Sequence, residues 1–178
     1  RQLKADAGNA LEQLQQFINE KKSWLFGHLG YDLKNEIENL SSSKESDIQF
    51  PDLFFFEPEI IIRLAEKEIL IEAENPDAVF EAISVASQPT DGVKNNSVKV
   101  QSRFSQQEYI TTIKKLQRHI LRGDCYEINF CQEFFSDNAV IYPFTVYKKL
   151  SNVFPNPFSA SYKLNYKWLL CASPTRFL

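Results

Sequence analysis

Leu11, Leu14 and Ile18 fall on one stripe at helical spacing. Asn9 stands where a cap is needed, with Glu12 three residues on, so a helix is predicted over residues 9–19. WLFGHLGY, residues 24–31, reads as a strand that ends at a glycine-marked bend, and 32–40 as a short helix. The Ser-rich stretch 41–47 reads as a surface loop. Two apolar runs follow, EIIIRL at 59–64 and EILIEA at 68–73, separated by the charged AEK, and they predict a hairpin. Three successive isoleucines fit a helical seam poorly because β-branched side chains are stiff at χ1. Asn75 then caps a helix with Pro76 in its first position, and Val79, Phe80 and Ile83 are expected to face inward. That helix ends before Gln88–Pro89, and 90–97 is polar loop.

The most fully specified element starts at Ser105. Glu108 completes a capping box, and Phe104 can staple onto Tyr109. Tyr109, Ile113, Leu116 and Ile120 recur as one buried stripe, and Gly123 stops the helix after Arg122. Residues 125–134 alternate as a strand, with Tyr126, Ile128 and Phe130 on one face and Cys125, Glu127, Asn129 and Cys131 on the other. A helix over 143–153 turns Phe144, Tyr147 and Leu150 inward. After a turn at Asn156–Pro157, strands at 158–164 and 168–172 pair around a bend at Asn165. Strand pairs alternate with single helices rather than one strand with one helix. This pattern predicts an α+β fold of antiparallel sheets with helices packed outside.

A chain of 178 residues is long enough for one domain with a real core. With 43% apolar and 24% charged residues, it belongs with folded rather than disordered proteins. A net charge of -3 argues against a nucleic-acid partner. The one basic run, KKLQRHILR at 114–122, reads as the solvated face of a helix. Cys125, Cys131 and Cys171 are odd in number and lack the paired spacing of a zinc site, so buried free thiols in a reducing compartment are expected. No apolar run is long enough to span a membrane, and the cytoplasm is the expected location.

The residues alone assign no reaction. A Gly-rich phosphate loop, a GxSxG elbow and HExxH are all absent. His28 reads as structural or locally hydrogen-bonded, and His119 as an ordinary helix residue. Glu127 and Asn129 put polar groups on one face of an otherwise strong strand, which is either solvated or lines a pocket.

Four segments, in order, resemble the chorismate-utilising synthases. WLFGHLGYD at 24–32 is similar to an early "FGxxGYD" strand, and the stretch 104–134 to the family's helix, Gly-Asp, aromatic and "QVN" strand. NVFPNPFSASYKL at 152–164 resembles the "NPxPF" turn, and LLCASPTRFL at 169–178 the "SPERF" segment. The resemblance implies an anthranilate synthase component I-like fold. Asn129 with Gln132, and Phe158-Ser159-Ala160, lean toward p-aminobenzoate synthase component I (aminodeoxychorismate synthase) over its relative anthranilate synthase component I.

The resemblance further implies that ammonia from a separate glutamine amidotransferase subunit aminates chorismate to 4-amino-4-deoxychorismate, on the way to p-aminobenzoate and folate. It implies Mg2+ on the substrate carboxylate, with metal ligands and the catalytic lysine expected beyond residue 178. By the same resemblance Glu127, Asn129, Asn156, Pro157, Phe158 and Ser159 lie near the substrate or a regulatory, tryptophan-type pocket. Two departures matter. Thr175 stands at the family's catalytic glutamate, and a hydroxyl cannot replace a carboxylic acid of tunable pKa. Glu127 replaces the customary glutamine. The chain has no Met, opens on RQLKADAG and stops at SPTRFL, so residues 1–178 read as a partial synthase domain, the N-terminal and central portion. Anthranilate synthesis, or a non-catalytic ligand-binding or interaction role on the same fold, are the alternatives.

Overall fold

A computed structural model describes residues 1–41, 47–87 and 97–174. The chain divides into two compact units, Arg1–Pro89 and Thr90–Leu178. Every strand pairing among the described residues is antiparallel. The predicted loops at 41–47 and 90–97 lie mostly outside the described residues, and Thr175 lies wholly outside them.

The first unit is organised by a three-stranded sheet in which β3 (Leu53–Phe56) runs between β1 (Gln2–Ala5) and β2 (Phe26–Leu29). The run LFFF lacks the alternation of a half-exposed strand because a central strand is covered on both faces. Register places Leu53 opposite both Ala5 and Leu29. Leu53 is fully buried and clusters with Ala5, Ala10 and Leu33, with Leu3, Leu11, Leu14 and Phe55 packed around them. β2 approaches β3 so closely that a Cβ on Gly27 would overlap the Phe54 carbonyl oxygen. His28 Nε2–H donates to the Pro51 carbonyl, 2.9 Å away, and its ring meets Phe50 edge-on, which is the structural role expected of it.

Helix α1 (Ala10–Glu20) forms where the stripe predicts it, but Asn9 makes no side-chain cap. The carboxylate of Glu36 does that work from a 3-10 helix at Tyr31–Glu36, accepting from the backbone N–H groups of Gly8, Ala10 and Leu11 at 2.7, 2.6 and 3.1 Å. This caps the orphan donors of the first turn from a distant part of the chain. Partial burial pushes the Glu36 carboxyl up, but the three N–H donors outweigh it and hold it below the usual carboxylate range. The helix expected at 32–40 is therefore a tighter, shorter 3-10 turn that places Glu36.

The hairpin forms as β4 (Ile61–Leu64) and β5 (Ile69–Glu72). α2 (Pro76–Val85) follows, with Asn75 Oδ1 accepting from the Ala78 N–H at 3.1 Å. Phe80 and Ile83 were expected inward but remain exposed.

In the second unit, β6 (Gln101–Ser102) pairs with β7 (Phe134–Phe135), α3 spans Gln106–Arg122 and α4 spans Pro143–Val153. β8 (Phe158–Leu164) and β9 (Lys167–Ser173) make the expected hairpin, with Asn165 in the left-handed region at φ 55°. Of the strand over 125–134 only its end pairs, and 125–133 are irregular. The α3 stripe is half-buried rather than buried, with Tyr109 and Ile120 still exposed. The three thiols are free as expected, but Cys131 is exposed and neither of the others is buried.

Leu53→Ala removes the one large side chain that is fully enclosed among the described residues, and partial collapse around the cavity should leave a loss of about 3 kcal/mol. Urea denaturation of the variant against the parent chain measures it.

Candidate functional site

The β8–β9 register joins two of the segments singled out above. Phe158 lies directly opposite Ser173, and Ser159 opposite Ala172. The turn that feeds β8 is closed locally: the Asn156 carbonyl accepts from the Ser159 N–H at 3.3 Å and from Ser159 Oγ at 2.9 Å. Asn156 Nδ2 donates to the Phe154 carbonyl at 3.2 Å. Asn156, Pro157, Phe158 and Ser159 thus form one rigid corner, with Phe158 exposed and Ser159 half-buried. Glu127 and Asn129 are exposed on the irregular segment rather than aligned on a strand.

A hollow of about 380 Å³ opens at the start of α3, lined by Ser102, Phe104, Ser105, Gln106, Tyr109, Gln132 and Phe134. Its apolar wall is built by the residues that staple the helix. The Phe104 and Tyr109 rings each lie 5.5 Å from Phe130, so Phe130 is clamped between them. Its polar edge is built by the capping box. Ser105 Oγ accepts from the Glu108 N–H at 3.3 Å, and the Ser105 N–H donates back to Glu108 Oε2 at 2.8 Å. The Ser105 hydroxyl donates to the same oxygen at 2.7 Å, and these bonds hold the Glu108 carboxyl below the usual carboxylate range. Gln132 Nε2 donates to the Phe104 carbonyl at 3.1 Å, which leaves its buried Oε1 without a hydrogen-bond partner. An apolar wall with a few fixed polar groups suits a small organic molecule. Glu127, Asn129 and Asn156 to Ser159 do not line this hollow. The capping-box signature marked its position but is read as helix architecture, which is why the hollow itself escaped the sequence.

At the other end of α3, Gly123 adopts φ 87° and Asp124 receives both Arg122 and His119. Arg122 first, and His119 second, hold the Asp124 carboxyl low. The basic run there is exposed, in keeping with a solvated face.

Among the described residues no group of three or more His, Cys, Asp or Glu side chains could hold a metal ion. No helix of the described residues is long and apolar enough to cross a membrane.

A family model described as chorismate binding enzyme matches residues 2–178. The chain belongs to the chorismate binding enzyme family. The chain is 27% identical over 164 residues to anthranilate synthase component 1 of Thermus thermophilus, covering 85% of this chain and 35% of that protein. It is 25% identical over 155 residues to aminodeoxychorismate synthase component 1 of Klebsiella aerogenes, covering 85% of this chain and 34% of that protein. The solved anthranilate synthase component I from Streptococcus pneumoniae shares its fold at a TM-score of 0.80 and 18% identity, over 97% of this chain and 48% of that one. The α+β architecture with antiparallel sheets is thereby the anthranilate synthase component I-like fold. The chain spans about a third of the length of the curated relatives it matches.

The depressed Glu108 carboxyl gives the family chain a pH signature. Its stabilising contribution is fully present above the usual value of 4.5 and is lost as pH falls through the lowered value in the folded protein. Glu108→Gln keeps a capping box, since Gln also serves in that position. It should leave α3 helicity at neutral pH nearly unchanged and flatten its loss in acid, as read by circular dichroism from neutral pH downward.

Proposed function

We propose that this chain is the front part of a chorismate-utilising synthase that aminates chorismate in the cytoplasm, with ammonia handed over by a separate glutamine amidotransferase subunit. The observation that carries the reading is the family match across residues 2–178. In such a reaction a C–N bond forms on the ring, a C–O bond to the ring hydroxyl breaks, and the leaving hydroxyl takes a proton. A positioned acid supplies that proton. Magnesium would offset the charge of the anionic substrate.

Between the two branches, anthranilate synthesis draws support from the Thermus thermophilus relative and from the likeness of fold. Aminodeoxychorismate synthesis draws support from the Klebsiella aerogenes relative and from the wording Asn129-Phe130-Cys131-Gln132. The corner at Asn156–Ser159 and the exposed pair Glu127 and Asn129 are the residues proposed to lie near substrate or a regulatory ligand. Thr175, in place of the acid, favours a ligand-binding role without turnover, and tryptophan is the ligand to try.

Chorismate, ammonia and magnesium, incubated with the natural polypeptide that contains these residues, test the reading. Fluorescent anthranilate assigns one branch and 4-amino-4-deoxychorismate the other. No amination, together with saturable tryptophan binding, replaces the synthase reading with the binding one. Thr175→Glu should raise turnover roughly a hundredfold, the lower end of what a positioned acid contributes. An unchanged rate contradicts the role assigned to that position.

A further inference from the structure

The hollow beside the start of α3 is assembled from separate pieces of the second unit. Ser102 comes from β6, Phe134 from β7 and Tyr109 from α3. The ladder holds two of its sides in register, because Ser102 lies directly opposite Phe134. One further backbone bond, from the Arg103 N–H to the Glu133 carbonyl at 3.0 Å, steadies that pairing. A volume of about 380 Å³ falls at the small end of the range that organic ligands occupy. Phe104, Tyr109 and Phe134 give the wall its aromatic character.

The polar groups around it are engaged, with one exception. The Phe104 carbonyl accepts from Gln132 Nε2 at 3.1 Å and from Ser102 Oγ at 2.9 Å, which uses both its lone pairs. The Ser105 hydroxyl is closed into the capping box with Glu108. Gln132 Oε1 is buried and has no hydrogen-bond partner. Turning the amide over does not help, since Oε1 would then face the Phe104 carbonyl oxygen. A buried acceptor left without a donor is destabilising, so the site favours a molecule that brings one. Water could satisfy that atom but gains nothing from the rings, and an apolar wall favours an organic occupant.

Charge narrows the class. No charged side chain lines the hollow. The neighbouring carboxylates Glu108 and Glu133 are bonded to Ser105 and Arg103. A carboxylate or phosphate that entered would lose its hydration without meeting a cation. We propose that this hollow binds a small neutral aromatic molecule that carries an N–H or O–H donor, with its ring against Phe104, Tyr109 and Phe134 and its donor on Gln132 Oε1. Phe134 is 67% exposed, and exposed side chains change rotamer within nanoseconds, which opens the edge of the hollow to such a ligand. The inference is independent of the synthase reading, because chorismate and tryptophan both carry carboxylates.

Equilibrium dialysis of the natural polypeptide that contains these residues decides it, with three probes that share one ring system: 2-naphthol, 2-methoxynaphthalene and 2-naphthoate. 2-Naphthol should bind saturably and about tenfold more tightly than its methyl ether, the worth of one hydrogen bond to a buried acceptor. 2-Naphthoate should bind more weakly than either. Gln132→Leu removes the acceptor and should abolish the preference for naphthol. Phe134→Ala, at an exposed position, should weaken naphthol and its ether alike and leave their ratio unchanged. Absence of saturable naphthol binding overturns the proposal, and so does equal affinity for naphthol and its ether. Binding that neither substitution alters lies elsewhere on the molecule and overturns it as well. If Gln132→Leu does not fold, the ratio in the parent chain and the loss in Phe134→Ala still decide.

Discussion

Burial of Leu53 between Ala5 and Leu29 is the contact on which the first unit depends. It brings together segments far apart in sequence, because β1, β2 and β3 are each only four residues long and none is a stable sheet by itself. The same contact fixes what surrounds it. Ala10 and Leu33 reach the cluster only if α1 and the 3-10 helix sit over β3, and the Glu36 carboxylate then meets the first turn of α1. Gly27 lets β2 come close enough for the sheet to form. Apolar burial and one carboxylate cap thus reinforce each other in a small space.

The second unit is held differently. Its helix is specified by local chemistry, the Ser105–Glu108 box at one end and the left-handed Gly123 at the other, and its hairpin by the register around Asn165. Local rules of this kind form elements without enclosing them. The candidate site features share that character. The Asn156–Ser159 corner and the hollow beside Ser105 are both shaped by short-range hydrogen bonds on a surface still open to solvent.

The same division decides what could be read from the sequence. α3, α4, the β4–β5 hairpin and the β8–β9 hairpin were legible because caps, periodicity and turn residues are local signals. β1, β3 and β6 were not, since a four-residue central strand without alternation and a two-residue ladder carry no pattern of their own. Asn9 has the residue type of a cap and the position for one, which is a local signal, whereas Glu36 arrives at α1 through the tertiary fold. The alternation of 125–133 was legible as a pattern but is not expressed as a strand, because pairing needs a neighbour that the pattern does not supply. The NPFS corner was recognisable from its residues, while the hollow at α3 depended on Gln132 and Ser102 arriving from separate elements.

Among the described residues the interior is concentrated in the first unit. The two tryptophans of the chain report on it, since Trp24 lies in one unit and Trp168 in the other. Urea unfolding of Trp168→Phe and Trp24→Phe, each followed by the fluorescence of the tryptophan that remains, is the most direct test. The account predicts a cooperative transition at Trp24 and a shallower one at lower urea at Trp168. Coincident, equally steep transitions at both would contradict it.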